Sequence, residues 1–93
     1  MTTTHVLLVR LKDRSPESIA ACRAQLEQQN ARLASVLSSE VGTNVRDAAI
    51  AYDIANIVRV DDLETYLKEH GATPEAGYVR SVMADAAVVD FDS

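Results

Sequence analysis

The stretch 4-THVLLVRLKD-13 decides the fold. Its apolar residues alternate as a β-strand requires, yet both faces are apolar. Val6 and Leu8 point one way, and Leu7, Val9 and Leu11 the other, with His5 at the mouth of that second face. In a four-stranded sheet covered by two helices, only one side is buried by the chain itself. The other side of such a sheet would be polar if it met water. A strand that is apolar on both sides therefore needs two covers, and the rest of the sequence shows what each one is.

Downstream, 13-DRSPES-18 starts a helix. Ser15 is a good N-cap, because its hydroxyl accepts an orphan backbone N–H, and Pro16 suits the first helical position. Ile19, Cys22, Leu26, Leu33 and Leu37 recur at helical spacing, which predicts one amphipathic helix of about 23 residues, roughly 34 Å long. Asn30 interrupts that stripe, either near a helix end or against a polar pocket. A short strand is predicted around Ser39–Val41, followed by turn residues Gly42 and Asn44. The run 48-AAIAYDIANIVRV-60 predicts a second long strand. In it Tyr52, Ile54, Asn56 and Val58 share one face, and Asp53, Ala55, Ile57 and Arg59 the other.

The segment 60-VDDLETYLKEHG-71 reads as a helix capped by Asp61 or Asp62 and stopped by Gly71. Helix restarts in 72-ATPEAGYVRSVMAD-85, with Thr73 as cap and Pro74 at the first position. The chain closes on a strand, 86-AAVVDFDS-93. The order is β-α-β-β-α-β, the split βαβ or ferredoxin-like pattern, an α+β fold with an antiparallel four-stranded sheet in the order 4-1-3-2. The two most apolar strands then occupy the centre.

The predicted second face carries Val6, Leu8, Ala55, Ile57, Val89 and Phe91, a patch larger than a monomer ordinarily leaves in water. A second copy, sheet against sheet about a two-fold axis, is the simplest cover. Arg10, Lys12, Asp53 and Arg59 would rim that interface.

Bulk properties narrow the function. The 93 residues fit a single domain, 1–93, with 47% hydrophobic and 25% charged residues. A net charge of -5 argues against nucleic acid and anionic membrane as partners, which need clustered Lys and Arg. No apolar run reaches the roughly 20 residues that span a bilayer, and the start reads as no signal peptide, so a cytoplasmic setting is expected. Cys22 is the single cysteine, so no intrachain disulfide forms, and its place on the apolar stripe reads as a small buried hydrophobe. No phosphate loop, nucleophile elbow or metal-ligand spacing occurs, and no metal or cofactor is expected.

The segments HVLLVRLK, LSSEVGTNV, YDIANIVRVDDLETY and VVDF, taken in order, resemble the stress-responsive α/β-barrel (Dabb) family over nearly the whole chain. That resemblance implies a homodimer whose two sheets meet in a barrel with the helices outside. Some plant members are cofactor-free polyketide cyclases. They use a histidine on the first strand, a second histidine in a Tyr-x-x-His-Pro-x-His segment, and a carboxylate on the last strand. His5 matches the first, Asp90 the carboxylate and Tyr66 the tyrosine. The segment here reads YLKEHGATPE, with Ala72 or Thr73 where the second histidine belongs and His70 at the earlier position.

The residues themselves support a helix-facing pocket. His5 at the start of the first strand and Asp90 near the end of the last are neighbours in a 4-1-3-2 sheet, and a carboxylate there fixes the imidazole tautomer. Such a pair takes a proton α to a carbonyl, with Tyr66 or Asn56 binding the developing oxyanion. The plainer reading of His5 is a strand-end histidine satisfied by backbone or water. Leu7, Val9, Tyr52, Asn56 and His70 are the expected pocket residues. Asn56 must find a ligand oxygen or another side chain, and His70 also suits a helix C-terminus as a cation.

The expected function is a homodimeric small-molecule-binding protein, in one version a cofactor-independent cyclase or isomerase acting on a polyketide-like or other hydrophobic carbonyl compound. The alternative is a non-catalytic stress or accessory dimer. A monooxygenase of the same barrel rests on fold analogy alone.

Overall fold

The computed structural model describes residues 2–93. Strand β1 (Thr3–Leu11) leads into helix α1 (Pro16–Arg32), strands β2 (Val36–Thr43) and β3 (Ile54–Val60), helices α2 (Leu63–Gly71) and α3 (Pro74–Val82), and strand β4 (Met83–Asp92). The sheet order is β2-β3-β1-β4 with every neighbouring pair antiparallel, the ferredoxin-like topology expected from the sequence. The second helix of that pattern is broken in two, because Thr73 starts a new one: its hydroxyl accepts from the N–H of Ala76 at 3.1 Å and Pro74 follows. Ser15 and Asp62 cap α1 and α2 in the same way.

All three helices lie on one face of the sheet. There Val9, Leu11, Cys22, Leu26, Val41, Ile54 and Val79 form the main core, and Val58, Val60 and Tyr66 a second cluster. Burial also pushes the Cys22 thiol pKa up, which suits its place in the packing and not a reactive thiolate. Helix α3 is clamped to α1 by Glu75, a buried carboxylate that accepts from Arg32 and from Gln28.

Several boundaries differ from the sequence reading: β2 is longer than Ser39–Val41, α3 stops at Val82 and β4 starts at Met83 instead of Ala86, and two further differences bear on the fold. The α1 helix has 17 residues and not about 23, because Leu33 turns extended and Val36 already pairs with Val60. Leu33 and Val36 still pack against the Val58–Tyr66 cluster, so the apolar spacing continued while the helix did not. The long strand begins at Ile54, not at residue 48. Residues 44–53 are a loop held by Arg14, whose guanidinium donates to the carbonyls of Ala49 and Ala51 and to the Asp53 carboxylate. Asp53 therefore does not rim the open face. It is buried, takes the N–H of Leu11 at 2.9 Å, and ties the loop to the end of β1.

The other face of the sheet has no cover among the described residues. Val6, Leu8, Ala55 and Ile57 are half-buried on it, while Val89 and Phe91 of β4 remain 54% and 49% exposed. No helix among the described residues is long and apolar enough to cross a membrane.

Candidate functional site

Antiparallel pairing places His5 of β1 directly opposite Asp90 of β4, side chains toward the helices. The imidazole Nδ1 and an Asp90 carboxylate oxygen approach to 2.5 Å, an ion-pair-assisted contact that holds Nδ1–H as the donor. His5 is almost fully buried, whereas 30% of the Asp90 side chain reaches solvent from the sheet edge. This leaves Nε2 as the basic nitrogen of the neutral ring.

Helix α2 closes over this pair. Tyr66 and His70 are one helical turn apart, i and i+4, so their rings project from the same face. They stack with centroids 5.0 Å apart and an interplanar angle of 9°. The His5 ring lies 5.4 Å from Tyr66 and 6.1 Å from His70. Four residues distant in sequence thus make one cluster: an imidazole braced by a carboxylate, a second imidazole, and a phenol.

The electrostatics of the cluster are set by burial. Tyr66 is fully buried, and desolvation together with the nearby Asp90 charge pushes its phenol up to about 12. It stays a neutral O–H donor at any physiological pH. Burial, then the charges of His5 and Arg80, holds the His70 imidazole below its usual value, which keeps that ring neutral near pH 7.

An apolar cleft of about 290 Å³ adjoins the cluster, between the sheet and helices α1 and α3. That is the lower edge of the roughly 300–1,000 Å³ typical of ligand sites. His70 and Leu7 form part of its wall, as expected. Three expected pocket residues do not. Val9 is wholly enclosed in the core. Asn56 is buried and accepts at 2.8 Å from Asn30, so the two amides that interrupted their apolar stripes are each other's partners. Tyr52 lies on the opposite, open face, beside Leu8 and Ala55, with Arg10 stacked over its ring. The strand does not begin until Ile54, so the alternation that placed Tyr52 on the helix side does not extend to it.

The sequence reading missed Gln29 and Arg80, which also line the cleft. Gln29 carried a signal: it falls one helical turn after Leu26, on the buried stripe of α1, where a polar side chain needs a reason. Arg80 carried none. Among the described residues, no three His, Cys, Asp or Glu side chains gather as a metal site.

Comparison with known proteins agrees with this architecture. The family model described as stress responsive A/B barrel domain matches residues 3–93. No curated protein matches the sequence significantly. Among solved structures, a dimeric ferredoxin-like protein of unknown function from Thermobifida fusca is similar at 20% identity, TM-score 0.77, covering 100% of this chain and 92% of that one. SnoaB, a cofactor-independent oxygenase from Streptomyces nogalater, is similar at 15% identity and TM-score 0.74, over 99% of this chain and 92% of its own. A hydroxynitrile lyase from Passiflora edulis is similar at 14% identity and TM-score 0.73, over 97% and 91%. At these identities the likeness is one of fold.

Proposed function

The chain belongs to the stress responsive A/B barrel domain family, and we propose that it is a homodimer that binds a small hydrophobic carbonyl compound in the helix-side cleft and moves a proton on it without a cofactor. The observation that carries this reading is the His5–Asp90 contact close to an apolar cleft, with Tyr66 and His70 stacked on each other and tilted against the same imidazole.

The chemistry follows from those positions. Asp90 accepts from His5 Nδ1–H and fixes the tautomer, so Nε2 carries the lone pair. That nitrogen removes a proton from the carbon α to the carbonyl, or from the hydroxyl of a carbonyl adduct. The bonding pair passes to carbon and then to oxygen as an enolate, or expels the group leaving the adduct. The Tyr66 O–H, still protonated, donates to the developing oxyanion. Return of the proton from His5 completes an isomerisation, cyclisation or lyase step. His70 stands on the cleft wall between the ligand and the dyad; neither His5 nor Tyr66 lines the cleft, so this chemistry requires the His70 ring to swing aside and admit the ligand to Nε2. The names of two similarly folded proteins, a cofactor-independent oxygenase and a hydroxynitrile lyase, support chemistry of this kind on this fold.

The homodimer is supported by the uncovered apolar sheet face and by the dimeric relative of the same fold. A light-scattering mass of one subunit at micromolar concentration would overturn it. The chemistry is tested by incubating the protein in D2O with a β-diketone and with a small hydroxynitrile. Wild-type protein is expected to exchange the α-proton of one or cleave the other. Activity that persists in His5→Gln, or its absence with both probes, sinks the catalytic reading and leaves a binding or accessory dimer.

A further inference from the structure

The proton chemistry above makes no use of the only charge on the cleft wall. Among the described residues Arg80, itself exposed, is the single formally charged side chain lining the cleft, and no Asp or Glu lines it, in a chain of net charge -5. Arg14, Arg23 and Arg32 each meet a carboxylate. Among the described residues Arg80 has none within ion-pair distance; Arg10, Arg46 and Arg59 have none either, but of these four only Arg80 stands on the wall of this cleft. It is a guanidinium, with its fork of donors, held at an apolar mouth and left without an anion.

A second observation points the same way. Gln29 is 2% exposed, yet only one end of its amide is tied. Its Oε1 accepts from the Thr73 hydroxyl at 2.6 Å. The same hydroxyl lies 2.8 Å from the carbonyl of His70, but it has one proton to give, and the shorter contact is to Gln29. That orientation turns the Gln29 NH2 away from Thr73, and no acceptor among the described residues meets it. The NH2 is not sealed in the core: the residue is nearly buried, but its amide nitrogen keeps an opening and is free to donate to whatever enters there. Here the residue lines a cleft.

We propose that the compound this cleft takes is a small amphipathic carboxylic acid, its carboxylate received by Arg80 and the Gln29 amide, its apolar body against Leu7, Leu26, Val79 and Val88. The inference rests on the ligand cleft described above and names its substrate class. A neutral ligand of the same shape would leave the exposed guanidinium to water. A carboxylate satisfies both donors with charge-assisted bonds, which are the stronger kind.

Hexanoate and hexanamide share a shape and differ in charge, so they test this directly. In two-dimensional 1H–15N spectra of the full chain, hexanoate is expected to shift the amides of Leu7, Val79 and Val88 and to bind at least about tenfold tighter than hexanamide. Arg80→Gln should erase that preference while leaving hexanamide affinity unchanged, and Gln29→Leu should weaken hexanoate alone. Equal affinities, silence to both probes, shifts confined to another face, or an undiminished preference in Arg80→Gln each overturns the proposal. His5→Gln is expected to keep the hexanoate preference. Failure of the proton chemistry and failure of the carboxylate site are therefore read in separate experiments.

Discussion

The two ends of β1 each carry a carboxylate contact, one buried and one reaching solvent at the sheet edge, and they are built to opposite ends. At the Leu11 end, Asp53 has every capacity answered: one oxygen takes the Leu11 N–H, the other takes Arg14, and its own N–H donates to Val9. Arg14 in turn donates from its other two nitrogens to the carbonyls of Ala49 and Ala51. At the His5 end, Asp90 meets only the imidazole, no described residue bonds the far ring nitrogen, and a cleft begins one ring away. A closed network fixes backbone. An open one, with a basic nitrogen left over beside space for a ligand, is arranged for something that arrives.

Substitution at each end should therefore fail in a different currency. His5→Gln keeps an amide donor toward Asp90 but loses the basic nitrogen. It should lower α-proton exchange or adduct cleavage by about 10²–10⁴-fold, the usual worth of a placed general base, with the urea midpoint nearly unmoved. Asp53→Ala should do the reverse. It orphans the buried Leu11 N–H and releases the 44–53 loop, for about 3 kcal/mol by denaturation. The Arg14 pair itself adds little to that figure, because Arg14 is 35% exposed and resolvates. Cleft binding per folded molecule should survive. If Asp53→Ala abolished ligand binding, or His5→Gln unfolded the chain, the contrast between the ends would collapse.

The same contrast explains what the sequence could and could not show. The His5 end was legible because alternation is local: His5, Leu7, Val9 and Leu11 share a face, the topology sets β4 beside β1, and the two together put Asp90 opposite His5. The i, i+4 spacing of Tyr66 and His70 carried a further signal, one that the reading of each residue by itself did not use. The Asp53 end was not. Residues 48–53 carry strand-like composition, and only Arg14, some 35 positions away, makes them a loop. No periodicity records a partner at that distance, and the misplacement of Tyr52 followed from it. Asn30 and Asn56 were each visible as interruptions, but their 2.8 Å bond crosses 26 residues and belongs to the packing of α1 on β3.

Two pH experiments sharpen the reading of the open end. The Tyr66 phenol is raised from 10.0 to about 12 in the fold. Between those values the folded chain keeps a proton that the unfolded chain loses, so stability is whole below pH 10 and falls as pH rises toward 12. The loss is about 2 kcal/mol, and Tyr66→Phe should remove that much of the alkaline decline while the rest persists. Equal alkaline limbs for the two proteins would mean that the phenol sits in water, and with that the oxyanion role goes.

The smallest effect lies on the acid side. His70 titrates below its ordinary 6.5 in the fold, so the unfolded chain takes up a proton first as pH falls. Stability then declines below about pH 6.5 and levels off once the folded ring is also charged. His70→Gln should flatten that limb, read as the change in denaturant midpoint between neutral and mildly acid pH. The sign is what matters. A histidine merely capping a helix C-terminus gains a favourable dipole when charged, and its removal would steepen the loss of stability toward acid. A flatter limb in His70→Gln places the ring against the His5–Asp90 cluster and the cleft wall, where a charge is unwelcome.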